Sequence, residues 1–147
     1  MLTVRDNIHD GYLFMATKHG LVKKTPLSEF KNLRKSGLIA INLREGDELL
    51  KVKVTRGDAD IIIVSQEGNA IKFNEQDVRP MGRTASGVKS MNLRENDIAV
   101  CMDIAVDEED LLVISENGFG KRTPLTEYKR QNRGGVGLIT YKISEKT

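Results

Sequence analysis

"KKTPLSEF", residues 23–30, returns as "KRTPLTEY" at 121–128, and "NLREGD" at 42–47 returns as "NLREND" at 92–97. Gly37, Gly87 and Gly137 fall at matching places, and so do Leu43, Leu93 and Ile143. Self-similarity at a fixed period is the mark of a chain made from stacked copies of one supersecondary unit. The 147 residues divide into three copies, approximately 1–47, 48–97 and 98–147.

Every copy has the same internal order. An apolar run opens it ("YLFMAT", "DIIIVS", "DLLVIS"), followed by a turn ("KHG", "QEG", "ENG") and a short second run. A run that is apolar on both faces, rich in Ile and Val and closed by a Gly turn, reads as the central strand of a hairpin. A third run follows a glycine loop, as in "GLIAINL". Ile41 and Leu43 match Met91 and Leu93, then Tyr141 and Ile143, with Asn42, Asn92 and Lys142 between them, so an alternating strand is expected. The fourth run, "LLKVKVT" or "AVCMDIA", alternates too. Copy three lacks it, and "LTV" at 2–4 is expected to stand in, giving three sets of four strands. Helix is expected only as a turn at "PLSEF" and "PLTEY", capped by Thr25 or Thr123 before a proline.

The expected fold is therefore all-β: three propeller-like blades of four antiparallel strands, each about fifty residues long. Closed propellers have about four to eight blades, so an open arc, a piece of a larger domain or a pairing of copies is expected.

Composition narrows the function. With 39% hydrophobic and 30% charged residues the chain is globular. The single cysteine, Cys101, excludes an internal disulfide and fits a reducing compartment. The N-terminus lacks a basic segment followed by a long apolar core, and no apolar run is long enough to cross a bilayer. A cytoplasmic protein without a membrane partner is expected. His9 and His19 have no cysteine or carboxylate at metal-ligand spacing, and Ser28, Ser36 and Ser86 have no nucleophile-elbow context. Neither a metal site nor a catalytic residue is expected. Tyr128 and Tyr141 stand in apolar columns, which favours packing roles.

Charge carries the functional signal. The net charge is only +2. Residues 21–44 nevertheless carry Lys23, Lys24, Lys31, Arg34, Lys35 and Arg44 against Glu29 alone. Residues 69–94 carry Lys72, Arg79, Arg83, Lys89 and Arg94 against Glu75 and Asp77. Residues 119–142 carry Lys121, Arg122, Lys129, Arg130, Arg133 and Lys142 against Glu127. Two columns are basic in all copies: Lys24, Lys72 and Arg122, then Lys31, Arg79 and Lys129. If equivalent positions point the same way, each column becomes a row of cations along one rim, suited to the phosphates of a duplex. A single charged stripe is usually a solvated face; three in register favour binding. The acidic runs "EGDE" (45–48) and "DEED" (107–110) are expected on the opposite edge. The glycine loops, "QNRGGVGL" most clearly, can bring backbone N–H groups close to phosphate with Arg beside them. The glycines alone are equally consistent with positive φ before a strand.

"TKHGLVKKTPLSEF", "VRPMGRTASGV", "NGFGKRTPLTEY" and "QNRGGVGL" together resemble the C-terminal domain family of bacterial DNA gyrase A subunits, and the resemblance covers all three copies. It implies a β-pinwheel, a propeller variant whose blades exchange strands, normally with six blades. It also implies non-sequence-specific binding and wrapping of duplex DNA on the basic outer perimeter. The parent would be an ATP-dependent type II topoisomerase that introduces negative supercoils together with the gyrase B subunit. ATP and Mg would bind elsewhere in that parent, leaving no cofactor in this part, and the location would be the bacterial cytoplasm at the nucleoid. Alternatives are the C-terminal domain of the topoisomerase IV A-type subunit, or a protein-interaction propeller. The family's wrapping box, a glutamine, two basic residues, two glycines, a basic residue and a glycine, is matched by Gln131, Arg133, Gly134, Gly135 and Gly137. Asn132 and Val136 replace two expected cations, so residues 131–137 read as a degenerate echo of that box.

Overall fold

The computed structural model describes residues 11–30 and 39–143. Ten strands and three short 3-10 turns make up its regular structure, and no α-helix occurs among the described residues. Strands β1 (Tyr12–Thr17) and β2 (Leu21–Pro26) form the first hairpin, with β3 (Leu49–Thr55) on the other side of β1. Strands β4 (Asp60–Ser65) and β5 (Asn69–Asn74) form the second. Next come β6 (Val88–Lys89), β7 (Ala99–Ile104), the third hairpin β8 (Asp110–Ile114) and β9 (Gly120–Pro124), and β10 (Leu138–Ile139).

The sheets cut across the copies. The first has the order β3-β1-β2-β6 and the second the order β7-β4-β5-β10, all antiparallel. The outermost strand of each is thus donated by the following copy: Leu21 and Val22 pair with Lys89 and Val88, and Asn69 and Ala70 with Ile139 and Leu138. The third run accordingly completes its neighbour's blade rather than its own, and its paired part is only two residues long. The third sheet has only β8 and β9 among the described residues. Among the described residues there are thus two four-stranded sheets and one two-stranded hairpin. "LTV" at 2–4 lies outside the described residues.

Gly87 and Gly137 permit the exchange. They adopt φ of +105° and +81°, and a Cβ there would stand 2.6 Å from the Val22 carbonyl oxygen and 2.5 Å from that of Ala70. Any side chain would hold the donated strand off its acceptor.

Two apolar layers join the blades. Phe14, Ala16 and Val22 of the first blade bury against Ile61, Ile63, Ile71, Phe73 and Val78 of the second. Ile62, Val64 and Ala70 on the opposite face of that blade bury against Leu125 and Tyr128 of the third. Each fully buried side chain of this size contributes about 1.5–3 kcal/mol.

The repeated "NLREGD" and "NLREND" motifs end in Asp47 and Asp97, both buried. The Asp47 carboxylate accepts from the backbone N–H of His19 at 3.0 Å and Glu48 at 2.8 Å. Asp97 accepts from Glu67 at 3.0 Å and Ile98 at 2.9 Å. One acid thus fastens the hairpin turn to the following strand in both copies.

The 3-10 turns span Leu27–Phe30, Glu75–Asp77 and Leu125–Glu127. Thr25 and Thr123 do not cap them. Thr25 Oγ1 is buried without a partner, and no side chain caps the third turn. Asn74 caps the second by accepting from the Gln76 N–H.

Candidate nucleic-acid interface

Strand pairing sends the two basic columns to different places. In the first, Lys24 and Lys72 are buried at 4% and 6% exposure. Lys24 Nζ donates to the Glu75 carbonyl oxygen at 3.0 Å and lies 4.8 Å from the centre of the Tyr12 ring. Lys72 Nζ donates to the Leu125 carbonyl oxygen at 3.3 Å and faces Asp107 at 3.5 Å. Glu75 and Leu125 open equivalent 3-10 turns, so each lysine clasps the next blade. Arg122, the third member, is exposed and pairs with Asp110 at 3.1 Å. The expected row of phosphate-facing cations at Lys24, Lys72 and Arg122 is therefore corrected: two ammonium groups are consumed inside blade junctions.

Lys23 is also withdrawn from the surface. It is fully buried, and its Nζ donates to the carbonyl oxygens of Ala40 and Arg83, both at 2.6 Å. Its counterpart Lys121 is exposed and reaches the Thr140 carbonyl oxygen at 3.4 Å.

The second column faces solvent where it is described. Arg79 and Lys129 are exposed just beyond the second and third 3-10 turns, with no side-chain partner among the described residues, and Lys89 is exposed on donated strand β6. Lys31, Arg34 and Lys35 lie outside the described residues, as do Gly37 and His9.

The glycine-loop arginines brace neighbours. Arg83 Nη1 donates to the Ile39 carbonyl oxygen at 3.3 Å, and Arg133 Nη1 repeats the contact one copy on, to that of Lys89 at 3.1 Å. Arg133 Nε also donates to the Asp77 carbonyl oxygen at 3.0 Å. In the 131–137 segment, the Gln131 N–H donates to the Lys72 carbonyl and the Gly134 N–H to that of Ser90, while the Gly135 carbonyl accepts from the Asn92 N–H. Those backbone groups are spent on the second blade, so the loop is first of all a tight lacing. Gln131, Asn132 and Arg130 remain on the wall of a polar cleft of about 440 Å³, completed by Asn74, Gln76 and Asp77. Val136 is exposed.

Arg130 also forms a pair that the sequence did not reveal, with Asp60 at 2.9 Å. Burial alone would raise the Asp60 carboxyl, but hydrogen bonds from Arg130 and Asn74 and the charges of Arg130 and Lys72 outweigh it, holding the group below the usual carboxylate range. The seventy-residue separation of the partners left no local signal.

The acidic runs separate. "EGDE" stands at the hairpin-turn end, where the Lys18 N–H donates to the Glu48 carbonyl. "DEED" does not oppose the basic columns. The Glu109 carbonyl accepts from the Leu125 N–H at the 3-10 end, and Asp107 and Asp110 face Lys72 and Arg122. Blade three thus neutralises part of its own basic end.

Cys101 is half-buried and free, and burial pushes its thiol up. No group of His, Cys, Asp and Glu that could hold a metal occurs among the described residues, and no helix there is long and apolar enough to cross a membrane.

Comparison with known proteins gives concordant results. A family described as the DNA gyrase C-terminal domain, beta-propeller, matches residues 11–56, 59–100 and 109–146. The DNA gyrase A subunit of Clostridium acetobutylicum is 63% identical over 147 residues, all of this chain and 18% of that protein. Its counterpart from Staphylococcus epidermidis is 47% identical over 149 residues, 99% of this chain and 17% of that protein. The chain thus spans less than a fifth of these relatives. Among solved structures, the C-terminal domain of DNA topoisomerase IV superposes with a TM-score of 0.88 at 34% identity, covering 94% of this chain and 43% of that one. A DNA gyrase A C-terminal domain gives 0.83 at 32%, covering 97% and 48%.

Proposed function

The chain belongs to the DNA gyrase C-terminal domain family of beta-propellers, and on that premise we propose that it binds duplex DNA without reading sequence and bends it along the edge formed by the glycine loops and donated strands. The observation that carries this reading is the exposure of Arg79, Lys89 and Lys129 on that edge without carboxylate partners among the described residues. Lys121, Arg122 and Arg130 flank them at the third hairpin. Flexible exposed cations that recur from copy to copy suit a polyanion carrying phosphates along its length, and counterion release supplies the affinity.

The set of phosphate-facing cations is smaller than the sequence suggested. Lys23, Lys24 and Lys72 organise the blades behind the surface, and Arg83 and Arg133 divide themselves between bracing and binding. In its parent the chain would act within DNA gyrase, as part of the gyrase A subunit working with the gyrase B subunit, in the bacterial cytoplasm, with ATP and Mg handled by other regions. The 63% identity to a gyrase A subunit favours that parent over topoisomerase IV.

The test is fluorescence anisotropy of a labelled random-sequence duplex titrated with the 147-residue chain at several salt concentrations. Binding that weakens steeply and log-linearly with salt is expected. No binding at low salt would refute the proposal.

A further inference from the structure

Lys23 is the most deeply buried cation among the described residues, with no exposed surface. No described carboxylate lies within ion-pairing distance of it. Packing does not demand a cation there, since the equivalent residue of the second copy is Ile71, fully buried in the core. A buried charge with no counter-charge among the described residues is costly and points to a site where something other than stability is served.

Its surroundings indicate what is served. Met15 of β1 stands opposite Lys23, and a Cβ at Gly87 would stand 3.4 Å from the Lys23 Cβ. Ala40 from the loop of copy one and Arg83 from the loop of copy two give it their carbonyl oxygens. Arg83 is the only charged residue in this set, and it bears the same sign. The same loops are joined twice more, by Arg83 Nη1 on the Ile39 carbonyl oxygen and by the Asn42 N–H on that of Ala85. One ammonium thus closes a circuit between two loops on the edge that carries Lys89.

We propose that Lys23 is a positioning residue that locks residues 39–42 against the glycine loop at 82–87 as one phosphate-facing unit, and that seating a polyanion on this unit is coupled to Lys23 keeping its proton. The inference rests on the DNA-binding reading above. Phosphates near Arg83 and Lys89 supply a negative charge that no described residue brings to the buried site, and they offset the repulsion from Arg83. Reciprocity then requires the protonated site to hold the polyanion more tightly than the neutral one. The relevant pH range is set by the free protein, where burial first and the Arg83 charge second lower Lys23 to about 8.

The experiment measures duplex affinity by anisotropy at pH 7, 8 and 9, at one low ionic strength, for the wild-type chain and Lys23→Met. Wild-type affinity should fall about tenfold between pH 7 and 9, the loss expected one unit above the midpoint when only the protonated form binds well. Lys23→Met should bind more weakly at pH 7 and show no slope. Proton uptake on binding at pH 8, measured by calorimetry in two buffers of different ionisation enthalpy, should accompany the wild type. That wild-type measurement tests the coupling even if the variant does not fold. Wild-type binding with neither slope nor uptake, or a Lys23→Met slope equal to wild type, overturns the role of Lys23 and leaves the DNA reading standing. No wild-type binding at pH 7 overturns both.

Discussion

Arg133 of the third copy donates from Nη1 to the carbonyl oxygen of Lys89 at 3.1 Å, repeating the Arg83 contact to Ile39 one copy earlier. Arg83 and Arg133 therefore brace the equivalent position of the preceding copy, which for Arg133 is donated strand β6, and a cation chosen for its charge also performs a mechanical task. Arg133→Ala should lower stability by about 1 kcal/mol for the missing charge-assisted bonds at a half-exposed site. Chemical denaturation checks this. DNA affinity should fall by more than removal of the exposed Lys129 costs, because the loop loosens as well.

Exposed and buried cations should separate in a salt titration. Neutralising Arg79, Lys89 and Lys129 together is expected to reduce the slope of log affinity against log salt by about 0.9 for each phosphate that is no longer neutralised, with little change in melting temperature. Lys24→Met and Lys72→Met should instead lower the melting temperature, because the Glu75 and Leu125 carbonyls lose their clasps. Any salt-slope change in these two variants that exceeds the triple variant would place the phosphates elsewhere.

Gly87→Ala should destabilise the first blade by roughly 2 kcal/mol, since a Cβ would meet the Val22 carbonyl oxygen at 2.6 Å and the residue holds φ +105°. Gly82→Ala, with open space around its position, should be nearly neutral. Paired urea melts distinguish a donated-strand constraint from a general preference for glycine.

Glu75→Leu should stabilise the chain by about 1–3 kcal/mol. Both carboxylate oxygens of Glu75 are buried without a partner, and the equivalent residues Leu27 and Leu125 are buried leucines. A loss of stability would mean that an acid is needed at the junction of blades one and two.

The pH dependence of stability should carry the mark of Lys23. Its folded-state pKa, about 8, lies below the ordinary lysine value of 10.5, so the unfolded chain binds more protons between these values. Stability contributed by this site therefore rises with pH from about 8 to about 10.5, and its cost is fully present below 8. Denaturant midpoints at pH 7.5 and 10 should show this rise in the wild type relative to Lys23→Met. Equal pH dependence would remove the site from the account.

Particular residues show where sequence reading reached and where it stopped. Fifty-residue spacing at Gly87 and Gly137, with apolar runs and turns at fixed offsets, fixes the repeat and the hairpins, because backbone sterics and burial act locally. The exposed positions of Arg79 and Lys129 are legible as a column. The strand exchange itself entered only through the family resemblance, since "GVKS" is equally good at the edge of its own sheet or of its neighbour's. The Asp60–Arg130 pair and the unpartnered carboxylate of Glu75 had no signal at all.

An all-β repeat of three units and a strong segregation of charge are written in the chain, because periodicity, turn residues and composition are local properties. Which cations face solvent is set by the packing of one blade on the next. Lys24, Lys72 and Arg122 occupy one column, but the first two are covered by the following blade while Arg122 is exposed. A lysine's charge is written in the sequence; whether its ammonium meets a carbonyl or water depends on the next repeat packing over it, a contact made across roughly fifty residues.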